Sequence, residues 1–224
     1  MARAARPPVD DLSADRARAL ALTPVSRETA ERLDRLVDLL RLWQKTTNLV
    51  APSTLAHLWT RHVADSLQLL ALAPDARVWV DLGSGGGFPG LPLACALAER
   101  PGSEVHLVES NQKKIAFLRE AVRITGVPAI VHGERIEDFV RDFRSRADVV
   151  TARALAPLAT LLYYVEPLLG PGTIGLLPKG QDVEAEIDTA SKSWALRAEL
   201  VPSRTDPHGR IVVVRGLKRY DTGS

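Results

Sequence analysis

Residues 78–90 read Val-Trp-Val-Asp-Leu-Gly-Ser-Gly-Gly-Gly-Phe-Pro-Gly, an apolar run with β propensity that meets an acid and then five glycines within eight residues. The stretch behind it, Leu91 to Glu99, reads as a helix with Pro92 in its first turn. A strand that passes through a glycine turn into a helix brings backbone N–H groups against a nucleotide. This turn therefore predicts an α/β fold and the place of its site together.

Two ligands compete for such a turn. Gly85 to Gly90 satisfies G-x-G-x-x-G, and Glu109 lies about 20 residues on, as a dinucleotide fingerprint asks. Asp81, two residues before Gly83, argues the other way. A carboxylate at the strand end repels a pyrophosphate, on a scale of about 4 kcal/mol for unit charges in contact at intermediate dielectric. S-adenosylmethionine carries an ammonium and a sulfonium and no phosphate, so an acid there suits it. The expected cofactor is S-adenosylmethionine. The alternatives are an NAD(P)-dependent oxidoreductase, a module that binds S-adenosylmethionine without turnover, and a glycine turn that is merely structural.

The 224 residues suffice for one domain with an elaboration and a substantial core. A net charge of +2 does not mark a nucleic-acid binder, but residues 192–219 hold seven Lys or Arg against Glu199 and Asp206. That surplus reads either as a phosphate-facing patch or as a solvated basic tail. A single cysteine fits a reducing compartment, and Cys95, among small apolar residues, reads as core. No run reaches the roughly 18–20 apolar residues of a membrane span, and no apolar h-region follows the Arg-rich start. A cytoplasmic protein with no membrane partner is expected. The five histidines show no ligand spacing, so no metal is expected.

Along the chain, residues 1–22 read as a flexible extension. Residues 23–75 read as a helical cap: one helix capped by Ser26, and a second capped by Ser53 that ends at Pro74-Asp75. Residues 76–224 read as the core, with strands near 77–82, 104–109, 128–132, 148–153 and 172–177 alternating with helices. That alternation implies a doubly wound, mostly parallel sheet. A further helix near 181–195 leads to a final pair near 197–201 and 210–215, of which the second, after Pro207-His208-Gly209, reads as a hairpin strand antiparallel to the rest.

Candidate site residues sit at strand ends. Glu109 ends the second strand, where a carboxylate accepts from both ribose hydroxyls, or is simply a surface acid. Ile136 and Glu137, with Glu134 competing for the acid role, fall where an adenine would lie. A helix N-terminus with acids suited to its dipole explains Glu137 equally well. Arg153 follows the fourth strand, where no Asn/Asp-Pro-Pro-aromatic loop stands; it reads as a cation orienting donor or substrate, or as an ion pair with Asp148 or another acid. In Arg61-His62-x-x-Asp65-Ser66 the spacing alone favours a salt-bridged helix surface over a functional patch. Arg61, His62, Lys179 and Arg210, with the 192–219 surplus, are expected to form one phosphate-facing surface beside Arg153.

Taken together, Asn48-Leu49, Arg61-His62-x-x-Asp65-Ser66-Leu67, Asp81 to Gly90, Arg135-Ile136-Glu137, Ala152-Arg153-Ala154 and Lys179-Gly180 resemble, in order, the bacterial small-subunit rRNA guanine-N7 methyltransferase family, also called glucose-inhibited division protein B. The match spans about residues 30–216, and the Phe-Pro-Gly ending of the glycine loop is its most selective piece. The resemblance implies a class I S-adenosylmethionine-dependent methyltransferase fold, with a Rossmann-like, mostly parallel seven-stranded sheet and an N-terminal helical cap. It implies methylation of N7 of guanine 527 in 16S rRNA, on the RNA or the small ribosomal subunit. Donor contacts are implied at Gly83, Phe88, Ile136, Glu137 and Arg153, to which the glycine-loop reading adds Asp81, Gly85, Gly87 and Glu109. Two departures stand out: Gln44 where the family has Asn, and Ile211 where it has His. Guanine N7 has an in-plane lone pair and no proton, so alignment replaces a general base. A monomer is expected.

Overall fold

The computed structural model describes residues 9–220. Its centre is one seven-stranded sheet of β1 (Val78–Leu82), β2 (Glu104–Val108), β3 (Ala129–His132), β4 (Val149–Thr151), β5 (Ile174–Lys179), β6 (Trp194–Pro202) and β7 (Arg210–Arg219). The order is β3-β2-β1-β4-β5-β7-β6, with β1 to β5 parallel and β7 antiparallel to both neighbours. The chain runs outward from β1 to β3 on one side and from β4 onward on the other. The crevice outside the carboxyl ends of β1 and β4 is therefore the topological switch point.

Every central strand splits its side chains between two cores, as a pleat of period two requires. Trp79, Val149, Leu176, Ile211 and Val213 join one core with α2 (Arg27–Trp43), α4 (Gly90–Leu97) and α5 (Gln112–Thr125). Val80, Leu82, Val150, Leu177, Val212 and Val214 join the other with α6 (Ile136–Asp142), α7 (Leu158–Val165) and α8 (Val183–Ala190). Cys95 is fully buried in the first. Ser26 caps α2 by accepting from Thr29 N at 3.0 Å, and Gly126 ends α5 at φ +65°, both as the sequence implies. No helix of the described residues is long and apolar enough to cross a membrane.

Two expectations change. Residues 1–8 lie outside the described residues, but residues 9–22 are no extension: they form α1 (Val9–Leu22). Ala19 is fully buried, and Asp15 Oδ2 accepts from Trp59 N at 2.9 Å and Thr60 N at 3.2 Å. Arg16 pairs with Asp34 at 2.7 Å and stands over the Trp59 ring. Asp15, an acid within this segment, is thus a docking group. The second cap helix is also not one helix. It runs as a 3₁₀ turn (Pro52–His57), a π turn (Trp59–Ala64), the short α3 (Asp65–Leu67) and a second 3₁₀ turn (Gln68–Leu72). Asp15 satisfies amides at the head of the π turn that a regular helix would have kept internal.

Candidate functional site

The crevice at the switch point is a cleft of about 790 Å³. Its floor is the glycine loop, its roof the cap around residues 49–68, and its sides the ends of β2 to β5 and the turn between β6 and β7. Gly83 and Gly85 line it at φ +70° and +56°, values that side chains rarely adopt. Gly86 leaves no room for a Cβ, which would stand 2.7 Å from Leu49 O. Gln44, the residue that departs from the family pattern, holds that segment: its Oε1 accepts from Leu49 N (2.9 Å) and Val50 N (3.1 Å), and its Nε2 donates to Val50 O (2.9 Å). Ile211, the second departure, lies on the cleft wall.

Glu109 lies on the cleft where the sequence places it. One oxygen accepts from Gly85 N at 2.9 Å and the other from Ser110 and Asn111 N at 2.9 and 2.8 Å. Its carboxylate retains further acceptor capacity toward a sugar. Phe88 and Ile136 also line the cleft. Three of the proposed donor contacts do not. Asp81 is 1 % exposed and turns beneath the loop, where its Oδ2 accepts from Gly90 N at 3.1 Å. Burial lifts its carboxyl to about 7. Gly87 faces inward, with Leu91 and Leu118 filling the space beside its Cα. Glu137 turns its side chain to the Tyr164 hydroxyl at 3.2 Å, whereas Glu134, the competing acid, lines the cleft. The helical phase of α6 points Ile136 inward and its neighbour out.

Arg153 locks cap to core. Its Nη1 donates to Asp65 Oδ2 at 3.1 Å and Arg61 O at 3.0 Å, and its Nη2 to His62 Nδ1 at 2.7 Å. Its guanidinium stands 5.5 Å from the Phe88 ring centre. Its acid partner is therefore Asp65, across the cleft, while Asp148 accepts from the backbone amides of Arg77 and Val78. His62 is 8 % exposed, and burial, then Arg153 and Arg61, push its pKa down to about 3. It is a neutral ring and not an RNA-facing cation. Arg61 and Asp65 do not pair along their helix either. Arg61 bridges to Asp206 at 2.6 Å, and Asp65 also accepts from Gln68 and Thr205.

The expected RNA face divides in the same way. Lys179 is 11 % exposed at its side chain and bound to Glu186 at 2.7 Å and Ala156 O at 3.1 Å. Arg210 lines the cleft and has no carboxylate partner among the described residues. The 192–219 surplus is not one patch. Register pairs Lys179 with Arg210, and Trp194 with Arg219, so Arg210 and Arg219 mark opposite ends of β7, about 30 Å apart at 3.3–3.4 Å per residue. Sequence reasoning missed Gln68, whose amide and carbonyl tie Asp65 to the β6–β7 turn at Ser203 and Arg204. Its signal was a lone amide in the apolar run Leu67-Gln68-Leu69-Leu70. Lys114, on the cleft beside Ser110, was missed as well.

His62 is the one histidine lining the cleft among the described residues, and both its nitrogens are engaged, since Nε2 lies 2.8 Å from Thr54 Oγ1. The cleft can bind and align, but this imidazole is not free to take a proton.

The model of the family described as rRNA small subunit methyltransferase G, GidB, matches residues 29–210. A Bradyrhizobium protein named ribosomal RNA small subunit methyltransferase G is 61% identical over 210 residues, covering 94% of this chain and 95% of its own. Among solved structures, a methyltransferase of Podospora anserina bound to S-adenosylhomocysteine aligns with a TM-score of 0.60 at 15% identity over 95% of this chain and 99% of its own. A putative O-methyltransferase from Klebsiella pneumoniae aligns at 0.58 with 14% identity over 90% of this chain and 96% of its own. These two likenesses speak to the fold.

Proposed function

This chain belongs to the rRNA small subunit methyltransferase G family, and on that premise we propose that its cleft transfers a methyl group from S-adenosylmethionine to N7 of guanine 527 in 16S rRNA. Bound S-adenosylmethionine would supply a methyl group on a sulfonium: the in-plane N7 lone pair bonds the methyl carbon in line as the C–S bond breaks, S-adenosylhomocysteine leaves as a neutral thioether, and no proton has to be lost. The residues present fit that donor. Glu109 offers acceptor capacity for ribose hydroxyls, while Ile136 and Glu134 flank the adenine position. Gly83 and Gly85 keep the floor free of side chains, and Phe88 carries Arg153 above it. Arg153 has N–H donors to spare for a carboxylate, the one anionic group of the donor.

The observation that carries the reading is the commitment of His62 at both nitrogens inside an otherwise well-formed nucleoside cleft. Such a site suits an acceptor atom that needs no deprotonation, as guanine N7 does. Arg210 and Lys114 are the rim cations assigned to RNA phosphates. The test is to map N7-methylguanine in 16S rRNA from cells with and without this gene. The purified protein should then restore it on undermodified RNA or small subunits, and no incorporation into either would refute the reading.

A further inference from the structure

Arginine has five N–H donors and no acceptor. In Arg153 both Nη1 hydrogens are taken, by Asp65 Oδ2 and Arg61 O, and one Nη2 hydrogen is taken by His62 Nδ1. Nε–H and one Nη2–H have no partner among the described residues, and Nε–H with the Nη2–H on its own side is the fork that matches a carboxylate. We propose that His62 is a positioning residue for the donor: by accepting one Nη2 hydrogen it fixes the Arg153 guanidinium in plane, so that the remaining fork meets the donor carboxylate. The inference rests on the methyltransferase reading above, and it gives a role to a histidine expected to contact RNA.

The hydrogen-bond directions support it. Arg153 can only donate, so His62 Nδ1 must accept and the ring proton sits on Nε2. Nε2–H then donates to Thr54 Oγ1 at 2.8 Å, and Thr54 Oγ1 donates to Ala51 O at 2.7 Å. The chain of donors runs one way, from the guanidinium to the cap backbone. The imidazole also packs on Phe88, with ring centres 4.9 Å apart, the same ring over which the guanidinium stands. Rotating Arg153 off its plane would break this line at its first link and leave a buried imidazole nitrogen unpaired, so the arrangement is rigid where the donor must be gripped.

The test is calorimetry of S-adenosylmethionine binding to purified variants, which reads the donor site without RNA. His62→Leu should weaken binding about tenfold, and His62→Asn, which keeps an acceptor near the Nδ1 position, should stay within about threefold of wild type. In an Arg153→Ala background His62→Leu should change affinity no further, because its effect passes through the arginine. Thr54→Val, which cuts only the far link, should weaken binding about threefold and serves if His62→Leu does not fold. Wild-type affinity in His62→Leu, or a loss that adds in full to that of Arg153→Ala, overturns the proposal. So does wild-type affinity in Thr54→Val when His62→Leu does not fold. Failure of the rRNA reading would show instead as tight donor binding with no methyl transfer to RNA.

Discussion

The Gly90 amide donates to Asp81 Oδ2 at 3.1 Å, tying the end of β1 to the first residue of α4 beneath the glycine loop. A Cβ on Gly90 would stand 2.7 Å from that oxygen and 2.2 Å from Leu107, so this close approach is why the loop ends in glycine. One oxygen of the carboxylate that the sequence offers to a ligand is thus engaged by the loop itself, while Oδ1 is buried without a hydrogen-bond partner among the described residues.

Burial lifts the Asp81 carboxyl from 3.8 to about 7, so the native state holds a proton that the unfolded chain has released. Its contribution to stability is complete below about 3.8 and is lost as pH rises through about 7. The scale is on the order of 4 kcal/mol, at 1.36 kcal/mol per unit. His62 works the other way: its lowered pKa costs stability as pH falls below 6.5. Asp81→Asn should therefore remove the alkaline loss and unmask the acid one. Urea unfolding of both proteins from pH 4 to 8 checks this, and a wild-type minus variant difference that does not change with pH defeats it.

Gln44→Ala should free the segment that lids Gly86. Three hydrogen bonds to Leu49 and Val50 disappear, and loss of about 1–3 kcal/mol of stability is the expected scale. S-adenosylmethionine affinity should fall with it, because Leu49 O lies against the loop floor. Thermal melts and calorimetry that match wild type would show the departure from Asn to be inconsequential.

What the sequence disclosed follows from what local chemistry can encode. Gly126 and Ser26 act within one turn, so the ends of α5 and α2 were legible. Strand and helix periods disclosed the sheet, and the strand end disclosed Glu109. Pairings across the fold were not legible. Arg61 and Asp65 have helical spacing, yet each is bound by a group about 90 or more residues away. Lys179 and Arg210 look alike in sequence, and only the β5–β7 register and α8 show that Glu186 occupies the first and not the second. Asp81 and Glu137 share a motif with cleft residues but point elsewhere, because side-chain direction depends on pleat and helix phase.

Asp15→Ala tests the docking of α1. The variant leaves the Trp59 and Thr60 amides without their acceptor, an expected cost of about 1–3 kcal/mol. Hydrogen exchange should quicken at those two amides first. If they exchange as in wild type, α1 is held by its apolar face and the Arg16–Asp34 pair and not by Asp15.

The RNA face gives the sharpest contrast between sequence and structure. Phosphate contacts displace counterions, so each one steepens the fall of affinity with salt, by about 0.7 in log–log slope for single-stranded RNA. Arg210 lines the cleft without a carboxylate partner among the described residues, so Arg210→Ala should flatten the slope by about one contact. Lys179 is neutralised by Glu186 and shielded from solvent, so Lys179→Ala should leave the slope as it was. Its cost should appear in stability, because Glu186 then keeps a half-buried charge without its partner. Arg219, about 30 Å along β7 from Arg210, stacks over Tyr163 at 4.8 Å, and Arg219→Ala should leave both slope and turnover unchanged. Binding to a 16S rRNA fragment across a salt series reads all three. A flatter slope for Arg219→Ala, with none for Arg210→Ala, would place the RNA on the opposite end of the β6–β7 hairpin, and a flatter slope for Lys179→Ala would show that Glu186 does not neutralise it.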